Sequence, residues 1–221
     1  MMPQAAKLLE LAAARFYQDI WPAEQRVFEA VASGEVADCI ELAEKDRIIR
    51  ADRLSWLCTN REASAQVTHR GLSISGAKID GKVDLAWAKI SFPITAFKCV
   101  FKDTIILSYG HIAYLNFEGS AVTDLKAVAT HFEEHVFLRN GFRADGGVDL
   151  IAAKIDGNLA CEGGKLIGIG ETPALDADSA KIEGGAYFRK RFSADGLVNS
   201  WLRTPVTVFS GQTPNRKIKG F

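Results

Sequence analysis

The chain has no excess of charge in either sense: 27 lysines and arginines balance 27 aspartates and glutamates. That balance removes the long-range pull toward polyanions, so nucleic acid is not an expected partner. Cysteine is scarce. Cys39, Cys58, Cys99 and Cys161 lie far apart, mostly among apolar neighbours, and include no Cys-x-x-Cys pair. They read as reduced core residues, which excludes a disulfide framework and a cysteine zinc site.

Long apolar runs are missing too. A spanning helix needs roughly 18 consecutive apolar residues, and the chain has no such run. Lys7, Glu10, Arg15 and Asp19 interrupt the stretch from Ala5 to Ile20, so no secretory h-region is expected there. These absences point to a cytoplasmic protein with no transmembrane segment. Peripheral membrane contact would have to come from an amphipathic first helix or from the region after Ser200, whose only charges are Arg203, Arg216, Lys217 and Lys219. What is present is bulk: 48% hydrophobic residues in 24.1 kDa suffice for a sizeable core without metal or disulfide.

Two hydrophobic periods divide the chain. Residues 1–70 read as a helical region capping the rest of the chain. Leu8, Leu9, Ala12, Phe16 and Ile20 fall on one helical stripe. Pro22 restarts the helix, and Ala23 to Ala32 turns Val27, Phe28 and Val31 inward before Gly34 as a C-cap. A short third helix, Ala51 to Cys58, presents Leu54, Trp56 and Leu57, with Trp56 placed to close the first coil of the next region.

From residue 71 to 199 one phrase recurs: Ala77-Lys78-Ile79-Asp80-Gly81, Ala153-Lys154-Ile155-Asp156-Gly157 and Ala180-Lys181-Ile182-Glu183-Gly184. The residues closing each repeat form an apolar column of Ile79, Ile90, Phe101, Ile112, Val122, Phe132, Phe142, Ile155, Leu166, Ile182 and Phe192, mostly 10 or 11 residues apart. Midway lies a second column, which includes Leu85, Leu107, Phe117, Leu138, Leu150 and Phe188. Short strands with alternate inward residues, joined by tight corners, explain both. Ten residues are too few for helical or leucine-rich repeats and fit half a turn of a parallel β-helix, giving about five coils. Gly81, Gly157 and Gly184 occupy one offset and read as corners at positive φ. The extra residues around Gly168 to Pro173 read as a loop thrown out from a corner, and residues 200–221 as an irregular basic tail.

These units resemble those of the pentapeptide-repeat proteins, written as small residue, polar residue, Leu or Phe, polar residue, Gly. Ser120-Ala121-Val122-Thr123-Asp124 is a further degenerate copy. The match covers roughly residues 71–198, and alternate units are stretched to six residues, which is similar to a divergent bacterial subgroup with a helical N-terminus. The resemblance implies a right-handed quadrilateral β-helix with Leu or Phe at the axis. It also implies two functional alternatives: a DNA mimic that binds a topoisomerase such as gyrase, or a membrane-associated oxidoreductase-like protein. The first wants a strongly acidic rod, and this chain is neutral. The second finds no flavin, nicotinamide or metal motif here.

No catalytic constellation assembles in the sequence. His131-Phe132-Glu133-Glu134-His135 lacks the glutamate that a zinc-protease helix needs at its second position, and Phe132 belongs to an inward column. His111 reads as a solvated corner residue. Asp80, Asp84, Asp149 and Asp156 read as outward partners of inward neighbours. No cofactor or metal is expected. Trp87, Tyr109 and Tyr114 fall beside the inward columns and form a candidate contact patch. The expectation is a mainly β, non-catalytic β-helical scaffold whose partner is another protein or a second copy of itself.

Overall fold

The computed structural model of the protein describes residues 4–199 and 218–219. The helical stripes fold as α1 (Gln4–Arg15), α2 (Pro22–Ser33), α3 (Ala51–Thr59) and the short α4 (Arg61–Ser64); α1 ends earlier than its stripe suggests, with Phe16 and Ile20 in the connection to α2. Pro22 is the first residue of α2, where its missing N–H costs nothing, and Gly34 closes that helix at φ 77°. The rest is a right-handed parallel β-solenoid of about six coils, not five. The additional strands come partly from Ala37–Asp38 and Ile48–Arg50, which pair in parallel with Leu72–Ser75 and Lys78–Asp80 although they lie inside the region read as helical. Few apolar residues mark them, because they sit between helices and carry no repeat.

Each full coil has four faces. Face I is built from strand starts such as Lys89–Ile90, His111–Ile112, His131–Phe132, Lys154–Ile155 and Lys181–Ile182. Face II holds Ile94, Leu115 and Val136, face III Ile79, Phe101 and Val122, and face IV Val83, Ile105 and Leu125. The strands Lys89–Phe97 and His111–Asn116 run across faces I and II, so half a coil is the sequence repeat. Pairing stacks like positions: Ile90, Ile112, Phe132, Ile155 and Ile182 form one buried column through the coils.

Two positions on face III differ from the sequence reading. Ala144, not Phe142, pairs with Val122, and Ala194, not Phe192, pairs with Leu166. Phe142 and Phe192 sit one step earlier, at the corner where other coils place Ala77, Cys99, Ser120 and Gly164. Phe142 is fully buried there and Phe192 partly. The reason is corner length. Gly141 and Arg191 each add a residue, so Phe142 N–H closes on Arg139 O and Phe192 N–H on Arg189 O, one residue past Leu138 and Phe188. Ser120 N–H and Gly164 N–H instead close directly on Phe117 O and Cys161 O; the longer corner admits a ring. The adjoining column residue shrinks to alanine, which keeps the volume of the layer.

The narrower corners satisfy their own buried polar groups. Ser120 Oγ donates to Ala96 O at 2.8 Å and accepts from Cys99 N–H at 2.9 Å, and Thr130 Oγ1 donates to Leu107 O at 2.9 Å. Gly81 is at φ 91°, as expected for a corner. Gly157 and Gly184 are not at positive φ; they are glycines because chain approaches chain. A Cβ on Gly157 would lie 2.3 Å from His135 Nδ1 and 2.8 Å from the Glu134 carbonyl carbon. The Gly168–Pro173 insertion leaves the corner between faces III and IV, as its length suggests.

The N-terminal helices cover the first coils. Leu54 and Cys58 of α3 face a small apolar void of about 30 Å³ with Leu72, Ile74 and Val83. Trp56 does not close the coil. It packs edge-on to Phe16 and Phe28 of the helical pair, with ring centroids 5.2 and 5.8 Å away. Glu24 of α2 is fully buried, and Arg50 holds it through Nε at 2.7 Å to Oε1 and Nη2 at 2.7 Å to Oε2. Arg53 approaches the same carboxylate at 3.7 Å. This network pins the helices to the first strands. The tail expected at 200–221 lies outside the described residues except for Ile218–Lys219, which pair in parallel with Val198–Asn199.

Candidate interaction face

The corner between faces IV and I is a four-residue turn repeated in successive coils. Ala88 N–H bonds Leu85 O, Gly110 N–H bonds Leu107 O, Ala153 N–H bonds Leu150 O and Ala180 N–H bonds Ala177 O, at 2.9 to 3.1 Å. The third residue of each turn sits at positive φ, as in a type II turn, yet none is glycine. Trp87 and Tyr109 are at 61°, Ala129 at 51°, Ala152 at 54° and Ser179 at 58°. A side chain in the left-handed region costs about 1–2 kcal/mol. The turn geometry aims these side chains away from the core, so Trp87 is 75% and Tyr109 50% exposed.

Two rows of polar residues flank this corner. On the face IV side, aspartates brace the turns: Asp84 Oδ1 accepts from Ala86 N–H at 3.2 Å, Asp149 Oδ1 from Ile151 N–H at 3.0 Å and Asp176 Oδ1 from Asp178 N–H at 3.1 Å. Burial and the nearby Asp176 charge raise the Asp149 pKa above the ordinary carboxylate value. On the face I side the first outward column is Lys89, His111, His131, Lys154 and Lys181. Its anions stand one outward position further on. Glu133 Oε1 lies 2.5 Å from His111 Nε2, Asp156 Oδ2 2.7 Å from His131 Nε2 and Asp156 Oδ1 2.7 Å from Lys154 Nζ. Bonds from Lys154 and His131 hold the Asp156 carboxyl below its usual pKa. Lys89 has Ser91 and Ala113 at the places where Glu133 and Asp156 serve later coils, and no carboxylate among the described residues lies within salt-bridge distance of it.

Of the three aromatics singled out in the sequence, the structure joins two. Trp87 and Tyr109 occupy the same corner in consecutive coils, and their rings stack with centroids 4.4 Å apart and planes 10° from parallel. Tyr114 belongs to a separate cluster on the next face, edge-on to Phe137, whose ring also stacks on His135 and carries the Arg139 guanidinium at 4.1 Å. Burial raises the Tyr114 phenol pKa.

Comparison with known protein families, characterised proteins and solved structures returns no match. The chemistry of this face therefore rests on its own geometry. Asp80, Asp84, Asp149 and Asp156 lie on faces III, IV, IV and I, and each is engaged: Asp80 bonds Lys102 at 2.9 Å, and the others brace turns or pair with face I cations. His131 and His135 diverge, one toward Asp156 and the other accepting from Asn158 N–H at 2.9 Å. Among the described residues, no three His, Cys, Asp or Glu side chains gather as a metal site. No described helix is long and apolar enough to cross a membrane. The four cysteines are free and buried, and burial pushes Cys39 to about 11 and Cys58 and Cys99 to about 12. Thiols so placed stay protonated and serve as core.

Sequence reasoning did not find the division of charge across the corner or the Glu24 network. The first carried a readable signal: Trp87-x-Lys89 and Tyr109-x-His111 repeat one coil apart.

Proposed function

We propose that this chain is a non-catalytic β-helical scaffold of divergent pentapeptide-repeat type, and that another protein chain docks on the Trp87–Tyr109 corner. Four-faced coils with small corner residues support the family reading. The stacked pair carries the functional one. Two large aromatic rings stand exposed on a backbone that disfavours any side chain, and they contribute little to the core. The same positive φ recurs at Ala129, Ala152 and Ser179, so the pair is set apart by ring size and exposure, and exposed aromatics dominate interface energetics. The small apolar residues along the same corner, Ala129 and Ala152, leave a smooth strip below the pair.

Affinity capture from native lysate, with wild type and a Trp87→Gly/Tyr109→Gly variant as parallel baits, tests this reading. A protein retained by the first and lost by the second, with unchanged circular dichroism, is expected. Identical capture by both baits would show that the corner does not bind.

A further inference from the structure

We infer that the partner is a second copy of this chain, packed along the same corner about a two-fold axis parallel to the solenoid. This rests on the docking role proposed for the corner and names its occupant. The corner strip is apolar over four turns, with Trp87 and Tyr109 at one end and Val128 and Ile151 further along, and turns polar at Asp178 and Ser179. Its two sides carry opposite charge. The outward column on the face IV side is Asp84, Ile106, Lys126, Asp149 and Asp176. Among the described residues Lys126 is the one cation in that row, and it lies 3.5 Å from Asp124. Lys82, at the far edge of the face, reaches the Asp84 carboxylate at 3.4 Å and leaves it half exposed. Lys89, His111, His131, Lys154 and Lys181 line the other side, and their carboxylate partners are displaced away from the strip.

A two-fold axis parallel to the solenoid exchanges left and right and keeps height. Asp84 then faces Lys89 of the other copy, Asp149 faces Lys154 and Asp176 faces Lys181, in both halves of the interface, while the two middle coils set Ile106 and Lys126 opposite His111 and His131. An axis perpendicular to the solenoid keeps left and right and sets aspartate against aspartate. The charge pattern therefore selects the parallel arrangement. Stacked coils repeat every 4.8 Å or so, and two identical solenoids share that spacing, so all coils meet in register at once. Lys89 gains in this way the carboxylate that its own face does not provide, from the coil bearing Asp84.

Sedimentation of the full-length chain over a concentration series measures the association. Dimers are expected, and Trp87→Gly/Tyr109→Gly should weaken them about tenfold or more, the scale of losing an aromatic anchor. Lys89→Glu/Lys181→Glu and Asp84→Lys/Asp176→Lys should each be monomeric alone and form a heterodimer when mixed, because both sides of the mixed interface are again complementary. Asp84 and Asp176 brace turns, so circular dichroism accompanies each variant. A photo-crosslinking benzophenone residue at position 109 provides a measurement independent of the charge variants, with a crosslink between two copies expected. A wild-type dimer unaffected by any variant overturns the inference. A monomer whose position 109 crosslinks a different protein in lysate overturns it while leaving the docking role standing. A monomer that crosslinks nothing overturns both.

Discussion

The Trp87 indole lies flat on the Tyr109 ring one coil away, at 4.4 Å, and both residues hold a backbone φ of 61°. The pair joins two opposing effects of similar size. Stacking of exposed rings contributes about 0.5–1.5 kcal/mol, and each left-handed residue costs about 1–2 kcal/mol. Trp87→Gly removes both together. The melting temperature is therefore expected to stay within a few degrees of wild type or to rise, while association through the corner is lost. A calorimetric scan beside a binding measurement checks this; a large drop in melting temperature would mean that the indole is part of the core.

Glu24 is fully buried between Arg50 and Arg53. Glu24→Ala removes the buried carboxylate between the two guanidinium groups but leaves Asp19 beside both and Asp52 on Arg53, so the cost is expected to fall below the roughly 3–5 kcal/mol of a wholly uncompensated buried charge. Denaturant titration should show the midpoint falling accordingly. The helical region is expected to loosen first, with amide exchange rising in α1 and α2 ahead of the coils.

Asp149 and Asp156 lie on neighbouring faces and are expected to respond to pH with opposite sign. Burial raises the Asp149 pKa, so its ionised form disfavours folding: the penalty develops as pH climbs from the unfolded value through the raised folded value and is complete above it. Asp149→Asn keeps the acceptor for Ile151 N–H and should raise the melting temperature at neutral pH, with no gain at acid pH. Lys154 and His131 lower the Asp156 pKa, so its contribution is present above the unfolded value and lost as pH falls through the folded one. Asp156→Asn should lower the melting temperature slightly at neutral pH, with the difference vanishing in acid. Melting curves from neutral pH down through the carboxylate range read both.

Phe142 and Ala144 share one layer. Phe142→Ala should cost about 3–5 kcal/mol, because the five-residue corner holds its shape after the ring is removed. Ala144→Val alone should overpack the layer by about 1–3 kcal/mol. Deleting Gly141 together with Phe142→Ser and Ala144→Val rebuilds the Ser120–Val122 arrangement of the preceding coil, and this triple variant should be more stable than Phe142→Ala. Denaturant midpoints of the set test whether corner length and ring size are coupled.

The sequence was informative wherever the cause is local. The stripe Leu8, Ala12 is one face of one helix, and Phe16 continues it just past the helix end. The alternation Val83, Leu85 belongs to one strand and the turn that follows it, and the half-coil period comes from short strands and tight corners. It misled where a glycine has two uses: Gly81 supplies a positive φ and Gly157 supplies room for His135, and both look the same in a repeat. It misled again at Phe142, since a large apolar residue at the usual interval reads as a column residue until the extra Gly141 is seen to lengthen the corner.

The sequence alone determined that this chain coils, how many residues make half a turn, which side chains point inward, and that helices lie toward the N-terminus. Those properties come from alternation and corner chemistry within a dozen residues. Only the tertiary structure decided what outward residues meet, because stacking partners lie from 20 residues apart (Ile112 and Phe132) to 37 (Ala37 and Ile74), and each insertion shifts every later pairing. The Trp87–Tyr109 stack, the sorting of aspartates and lysines to opposite sides of that corner and the clasp of Arg50 on Glu24 all depend on that long-range register, which no local pattern encodes.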